Sequence, residues 1–216
     1  MKKFKLLLFT IIPLISLAQT SKNKYLYFDG TEINYSQFNR IQSKGILVGQ
    51  NDDGTIYRLI KEREKSGKIN DYKELITFLN TSLKTNYDFT KPIYICYSPG
   101  SDISNTTNRL ISDEELDSSQ QDYLNFKRKL EKEINGQVLN VFKKPSQFVY
   151  EGNKRIDWRK DPNNEIEKRF FSEYHYWHSS FVIIFPNGDY NVYLGEFSYN
   201  KVFDYIKNWK KKDKSK

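Results

Sequence analysis

The stretch Phe181-Val182-Ile183-Ile184-Phe185-Pro186-Asn187-Gly188-Asp189, continued by Tyr190 to Phe197, decides the architecture. Two β-rich runs flank Asn187-Gly188, a pair that accepts the positive φ angles of a tight turn, so the sequence predicts an antiparallel hairpin here. Ser198 then stands at the N-cap of a closing helix whose apolar residues Val202, Phe203, Ile206 and Trp209 recur at helical spacing.

Upstream of the hairpin, strands and helices alternate. Asp161-Pro162 is a helix entry, with proline where its missing N–H costs little, and residues 163–171 are expected to be helical. Val138 to Phe142 reads as a buried strand. Before it a long helix runs from Asp113-Glu114-Glu115, acidic where the helix dipole is positive, through Ile134, and stops at Asn135-Gly136. Pro92 to Tyr97 is a strand apolar on both faces, as in the middle of a sheet. Asp71 to Leu83 places Tyr72, Leu75, Ile76, Leu79 and Leu83 on one helical stripe. Thr55 to Ile60 reads as a strand after the turn Asn51-Asp52-Asp53-Gly54, and Ser36 to Gln42 as a short helix capped by Ser36 and stopped by Gly45. Tyr25 to Phe28 is a short β-rich run ended by Asp29-Gly30, while residues 143–160 have no clean period. The expected fold class is therefore α/β: a central mixed sheet flanked by helices, with an N-terminal extension and an irregular insertion. Strands from Thr55 onward are expected to pair in parallel through crossover helices, with the hairpin as an antiparallel edge.

Residues 1–18 are expected to be a bacterial-type signal peptide, with Lys2, Lys3 and Lys5 ahead of an apolar run from Leu6 to Leu17 and small residues at Ser16 and Ala18. That run is shorter than the ~20 residues a membrane-spanning helix needs, so export to the periplasm or beyond, with no transmembrane segment after cleavage, is expected. The remaining organisation is an extension over 19–53, a main domain over 54–209 and a basic tail over 210–216. The net charge of +8 resolves into +3 in the leader, +4 in Lys210 to Lys216 and about +1 in the body. A body so close to neutral argues against a nucleic-acid partner. The tail allows weak contact with an anionic surface.

The element order, the run Phe181 to Gly188 followed by Gly195, and the closing helix together resemble the thioredoxin family over about 150 of the 216 residues. The resemblance implies a thioredoxin-like fold with a redox C-x-x-C pair after the Pro92 to Tyr97 strand and a cis proline before the first hairpin strand. Here the matching stretch is Ser101-Asp102-Ile103-Ser104, and Ser180 stands in the proline position. Serine forms no disulfide, and the one cysteine, Cys96, lies inside the strand, so dithiol exchange is excluded. The expected member is degenerate and non-catalytic.

The same sheet end still offers a binding surface. The resemblance brings the loop bearing Ser101, Asp102, Ser104 and Asn105 against the loop Glu173-Tyr174-His175-Tyr176-Trp177-His178-Ser179-Ser180. Tyr174, Tyr176 and Trp177 are candidates for a groove, with His175, His178, Ser180 and the first loop as hydrogen-bonding groups. The alternative is that these aromatics only cover the end of the sheet. A metal at His175 and His178 would need a third ligand such as Asp102 or Glu173, and no G-x-S-x-G elbow supports a serine nucleophile. No cofactor is expected. The function anticipated is an exported module that contacts a protein or peptide at the former active-site end. A redox protein related to thiol-disulfide oxidoreductases, or an envelope interaction protein acting through its extension or tail, is the alternative.

Overall fold

Sequence-local signals place most elements, and strand pairing then sorts them into two sheets. The computed structural model describes residues 23–100, 112–146, 149, 153, 155–171, 175–176 and 179–213. The leader, residues 1–18, lies outside them. The N-terminal part contributes β1 (Lys24–Leu26), β2 (Glu32–Ile33), α1 (Tyr35–Gln42), β3 (Leu47–Gln50), β4 (Ile56–Ile60) and β5 (Glu64–Lys68). The middle holds α2 (Tyr72–Leu83), β6 (Ile93–Ser98), α3 (Asp113–Ile134), β7 (Gln137–Phe142) and β8 (Trp158–Lys160). The last part holds β9 (His175–Tyr176), β10 (Ser180–Ile184), β11 (Asp189–Tyr193) and α4 (Tyr199–Asp213).

Among the described residues the larger sheet has six strands in the order β5-β11-β10-β6-β7-β8, and the smaller has five in the order β2-β1-β4-β3-β9. In the larger sheet β6, β7 and β8 run parallel, while β10 and β11 are antiparallel to their neighbours. The chain is thus α/β with mixed sheets flanked by helices. Alternation along each central strand divides its core in two. Ile93, Ile95, Tyr97, Leu139, Val141, Val182 and Ile184 face α2 and the helical turn at 167–171. Tyr94, Cys96, Val138, Phe142, Phe181 and Ile183 face α3 and α4. A third, smaller core lies between α1 and the five-stranded sheet, around Phe38, Val48 and Leu59.

Helix ends follow the local chemistry. Asp71 caps α2 by accepting the Glu74 N–H at 2.8 Å, and all five residues of the expected stripe are buried. Ser112 and Glu115 form a reciprocal capping box on α3, which ends at Asn135 in the left-handed region. At α1 the cap is Asn34 with Gln37, not Ser36, because the box needs a glutamine or glutamate three residues on, and Gln37 answers Asn34.

Five expectations are corrected. The strand over Ile56–Ile60 belongs to the five-stranded sheet, because the Asn51–Gly54 turn folds it back on β3 as a hairpin and local pairing replaces a crossover. The β10–β11 hairpin is not an edge: the polar strand β5 covers β11, anchored by Arg63 on the Leu194 carbonyl and by Glu64 to Lys201 and Tyr205. Residues 158–160, inside the expected irregular insertion, form a strand beside β7. The helix expected over 163–171 is broken into a 3₁₀ turn at Pro162–Asn164, where Asn163 adopts φ +55°, and a π turn at Glu167–Phe171. Residues 210–213, expected as the start of a tail, continue α4.

Candidate functional site

Three parallel strands end in register, with Ser98 opposite Phe142 and Phe142 opposite Lys160. Lys143 and Asp161, the next residues on two of these strands, therefore emerge side by side, and the backbone continues the ladder: Lys143 N–H donates to Ser98 O and Asp161 N–H to Phe142 O. Such carboxyl ends of parallel strands are where α/β sheets commonly place their sites.

The side chains at this end form a polar group that is buried except for Asp52. The Lys143 ammonium donates to Asp52 at 2.7 Å and to Glu167 at 2.9 Å. Asp161 is 1% exposed, and its two oxygens accept the Ile166 N–H at 3.0 Å and the Glu167 N–H at 2.9 Å. Tyr97 stacks on Phe171, ring centres 4.7 Å apart, and its buried hydroxyl makes no well-formed hydrogen bond among the described residues.

Three of these groups are shifted from their ordinary values. Burial pushes Asp161 up to about 6, against the pull of its two N–H bonds and helped by the charges of Glu167 and Glu165. Burial also draws Lys143 down, yet its bonds to Asp52 and Glu167 outweigh this and leave it raised. Tyr97 is raised by burial and by the neighbouring Glu167 carboxylate. Lys143 is thus charged, Tyr97 neutral, and Asp161 sealed against backbone donors. None presents a free acid, base or nucleophile to solvent. The arrangement is a clamp: Lys143 joins the Asp52 turn of the five-stranded sheet to the π turn on the six-stranded one.

The loop candidates divide sharply. Ser101, Asp102, Ser104, Asn105, Tyr174, Trp177 and His178 lie outside the described residues, and His175 is placed by its backbone, opposite Gln50 in β9. Tyr176, a groove candidate, and Ser180, a hydrogen-bonding candidate, both occupy buried positions. Tyr176 is 4% exposed within the α2-side core, opposite Gly49. Ser180 is 1% exposed, opposite Tyr97, and its hydroxyl accepts the Gly195 N–H at 2.9 Å. No peptide bond among the described residues is cis, the one before Ser180 included.

No family model, curated protein or solved structure matches the chain. The site is accordingly read from its own chemistry. Cys96 sits on the α3 and α4 face, 5% exposed, and burial pushes its thiol up to about 12, held back only in part by the hydroxyls of Tyr94 and Ser179. Among the described residues no three histidine, cysteine, aspartate or glutamate side chains converge as metal ligands, and no helix is long and apolar enough to cross a membrane.

Sequence reasoning missed Asp52, Lys143, Glu167 and Tyr97 as members of one group and took Asp161 only as a helix entry. The one local signal was a lysine and an aspartate each directly following a strand, at Phe142 and Lys160.

Proposed function

We propose that this chain is a non-catalytic binding module of thioredoxin-like architecture that engages a protein or peptide at the sheet end where β6, β7 and β8 terminate. The architecture is supported by the strand order β7-β6-β10-β11, with a helix between the parallel pair and a helix after the hairpin. This is the arrangement the thioredoxin resemblance implies. The non-catalytic part is supported, as regards thiol chemistry, by one observation: the sole thiol is buried in the core, and this burial pushes it up to about 12, where it is neither ionised nor accessible. The buried clamp adds rigidity to the sheet end without supplying a reactive group. Export through the leader belongs to the same proposal.

Photocrosslinking in the native envelope tests it, with a photoreactive residue at Asp102, at Trp177, or at the exposed Arg40 of α1 as a distant control. Discrete adducts from positions 102 and 177 are expected. Adducts from position 40 alone would move the binding surface to the N-terminal extension. Insulin reduction by the wild type that is lost in Cys96→Ser would replace the proposal with the redox one.

A further inference from the structure

We propose that the groove between the C-terminal halves of α3 and α4 is a docking surface for the headgroups of an anionic lipid bilayer. The groove encloses about 360 Å³, and its floor is Phe203 and Ile206, near the lower end of the roughly 300–1,000 Å³ of small-molecule sites. Lys129 approaches from α3 and Lys207, Lys210 and Lys211 from α4, with Glu133 as the single carboxylate in the lining. Glu133 is engaged by Lys210 at 3.4 Å, and Lys129 lies over the Phe203 ring at 4.6 Å. Lys207 and Lys211 are exposed and have no carboxylate partner among the described residues.

Lysines in a last helical turn also offset the helix dipole, and that accounts for part of α4. It does not account for Lys129, which stands on the other helix, five residues before its end, and lines the same groove. Cations converging from two helices over an apolar floor suit an amphiphilic surface: phosphates meet the ammonium groups while the floor and the lysine stems meet the glycerol and upper acyl region. A purely polar acidic peptide would leave Phe203 without a counterpart. The sequence adds Lys212, Lys214 and Lys216 immediately beyond.

The position also fits. α3 ends at Asn135-Gly136, where the Gln137 N–H donates to Pro92 O, so the groove lies at the amino-terminal ends of β6 and β7. On α4, Trp209 stacks on Phe185 just past the end of β10, ring centres 4.2 Å apart. A chain docked through this groove turns the opposite end of the sheet, with its clamp, away from the bilayer. The docking surface does not depend on the function proposed above.

Flotation of the full chain with phosphatidylglycerol-containing and with pure phosphatidylcholine vesicles tests the proposal. The leader, with Lys2, Lys3 and Lys5 ahead of the apolar run Leu6 to Leu17, contributes alike in every variant, so the readout is how substitution changes the ratio of the two partition coefficients. A ratio well above one that falls with added salt is expected. Lys207→Gln and Lys211→Gln should each lower it about fivefold, the weight of one lysine near an anionic membrane. Lys44→Gln and Lys61→Gln, in the five-stranded part, should leave it unchanged. A ratio of one, or equal losses from the Lys44 and Lys61 variants, would overturn the assignment. So would vesicle binding abolished by polyglutamate but indifferent to the groove variants.

Discussion

Replacing Asp161 by asparagine tests whether the strand-end clamp is built around a carboxyl that the fold prefers neutral. The side chain is 1% exposed and its pKa is lifted from an ordinary 3.8 to about 6, chiefly by burial. A carboxyl raised in the folded state binds more protons there than in the unfolded chain between those two values. Stability then declines as pH rises through the window from about 4 to about 6 and stays reduced above it. At ~1.4 kcal/mol per pH unit the whole effect is on the order of 3 kcal/mol. Asparagine cannot titrate, so Asp161→Asn should flatten this part of the pH profile. Its amide also turns one N–H toward a backbone donor, either Ile166 or Glu167, at a pH-independent cost of ~1–3 kcal/mol. The decisive quantity is therefore the change in the mutant-minus-wild-type difference between about pH 4 and about pH 7, which removes the constant cost. Urea unfolding across this range should show the variant gaining about 2 kcal/mol relative to the wild type as pH rises. A flat difference, or one in which the wild type gains, would refute the reasoning. The latter would mean that the carboxylate is stabilised by a cation in the fold.

Other predictions are more local. Lys143→Met should cost about 3 kcal/mol by leaving Glu167 buried without its cation, and limited proteolysis should then cut faster near the Asn51–Gly54 turn that Lys143 holds through Asp52. Gly188→Ala should lose at least ~2 kcal/mol in urea unfolding, because φ is +84° and a Cβ would sit 2.1 Å from the Ile69 carbonyl oxygen. Leu79→Ala, at a site with no exposure in the α2-side core, should cost ~2–5 kcal/mol by the same assay. Cys96 should resist a thiol reagent in the native state at mildly alkaline pH and react fully in denaturant; rapid native labelling would contradict its burial.

What the sequence made legible is what local periodicity and end signals encode. The buried stripe of α2, both ends of α3, the core run at Ile93 to Tyr97 and the turn at Asn187-Gly188 each announce themselves within a dozen residues. Strands without such a signal were missed. β5 is Glu-Lys-Ser-Gly-Lys, exposed throughout, and is held by backbone pairing with β11 and by Gly67 lying against the Tyr190 ring. β9 has two residues and exists only because β3 is beside it. The clamp was invisible for a related reason. Asp52, Lys143, Asp161 and Glu167 each read locally as a turn, a strand end or a helix position, and only the shared register of β6, β7 and β8 brings them together.

The five-stranded sheet is more than an appendage, because it is tied to the strand end at two independent points. Lys143 bridges to Asp52 in the β3–β4 turn, and β9 hydrogen-bonds to β3 only three residues before the chain enters β10 beside β6. Tyr176 closes the arrangement by burying its ring in the core of the larger sheet while its backbone belongs to the smaller one. A ligand that displaced the segment between Tyr176 and Ser180 would therefore strain both sheets, and loss of the Lys143 bridge would release one of the two ties while leaving the other. This end of the molecule is thus made jointly by the two sheets. Truncating β1 to β4 should loosen that end, seen as a loss of stability in urea unfolding, even though the sequence singled out none of their side chains as a site residue.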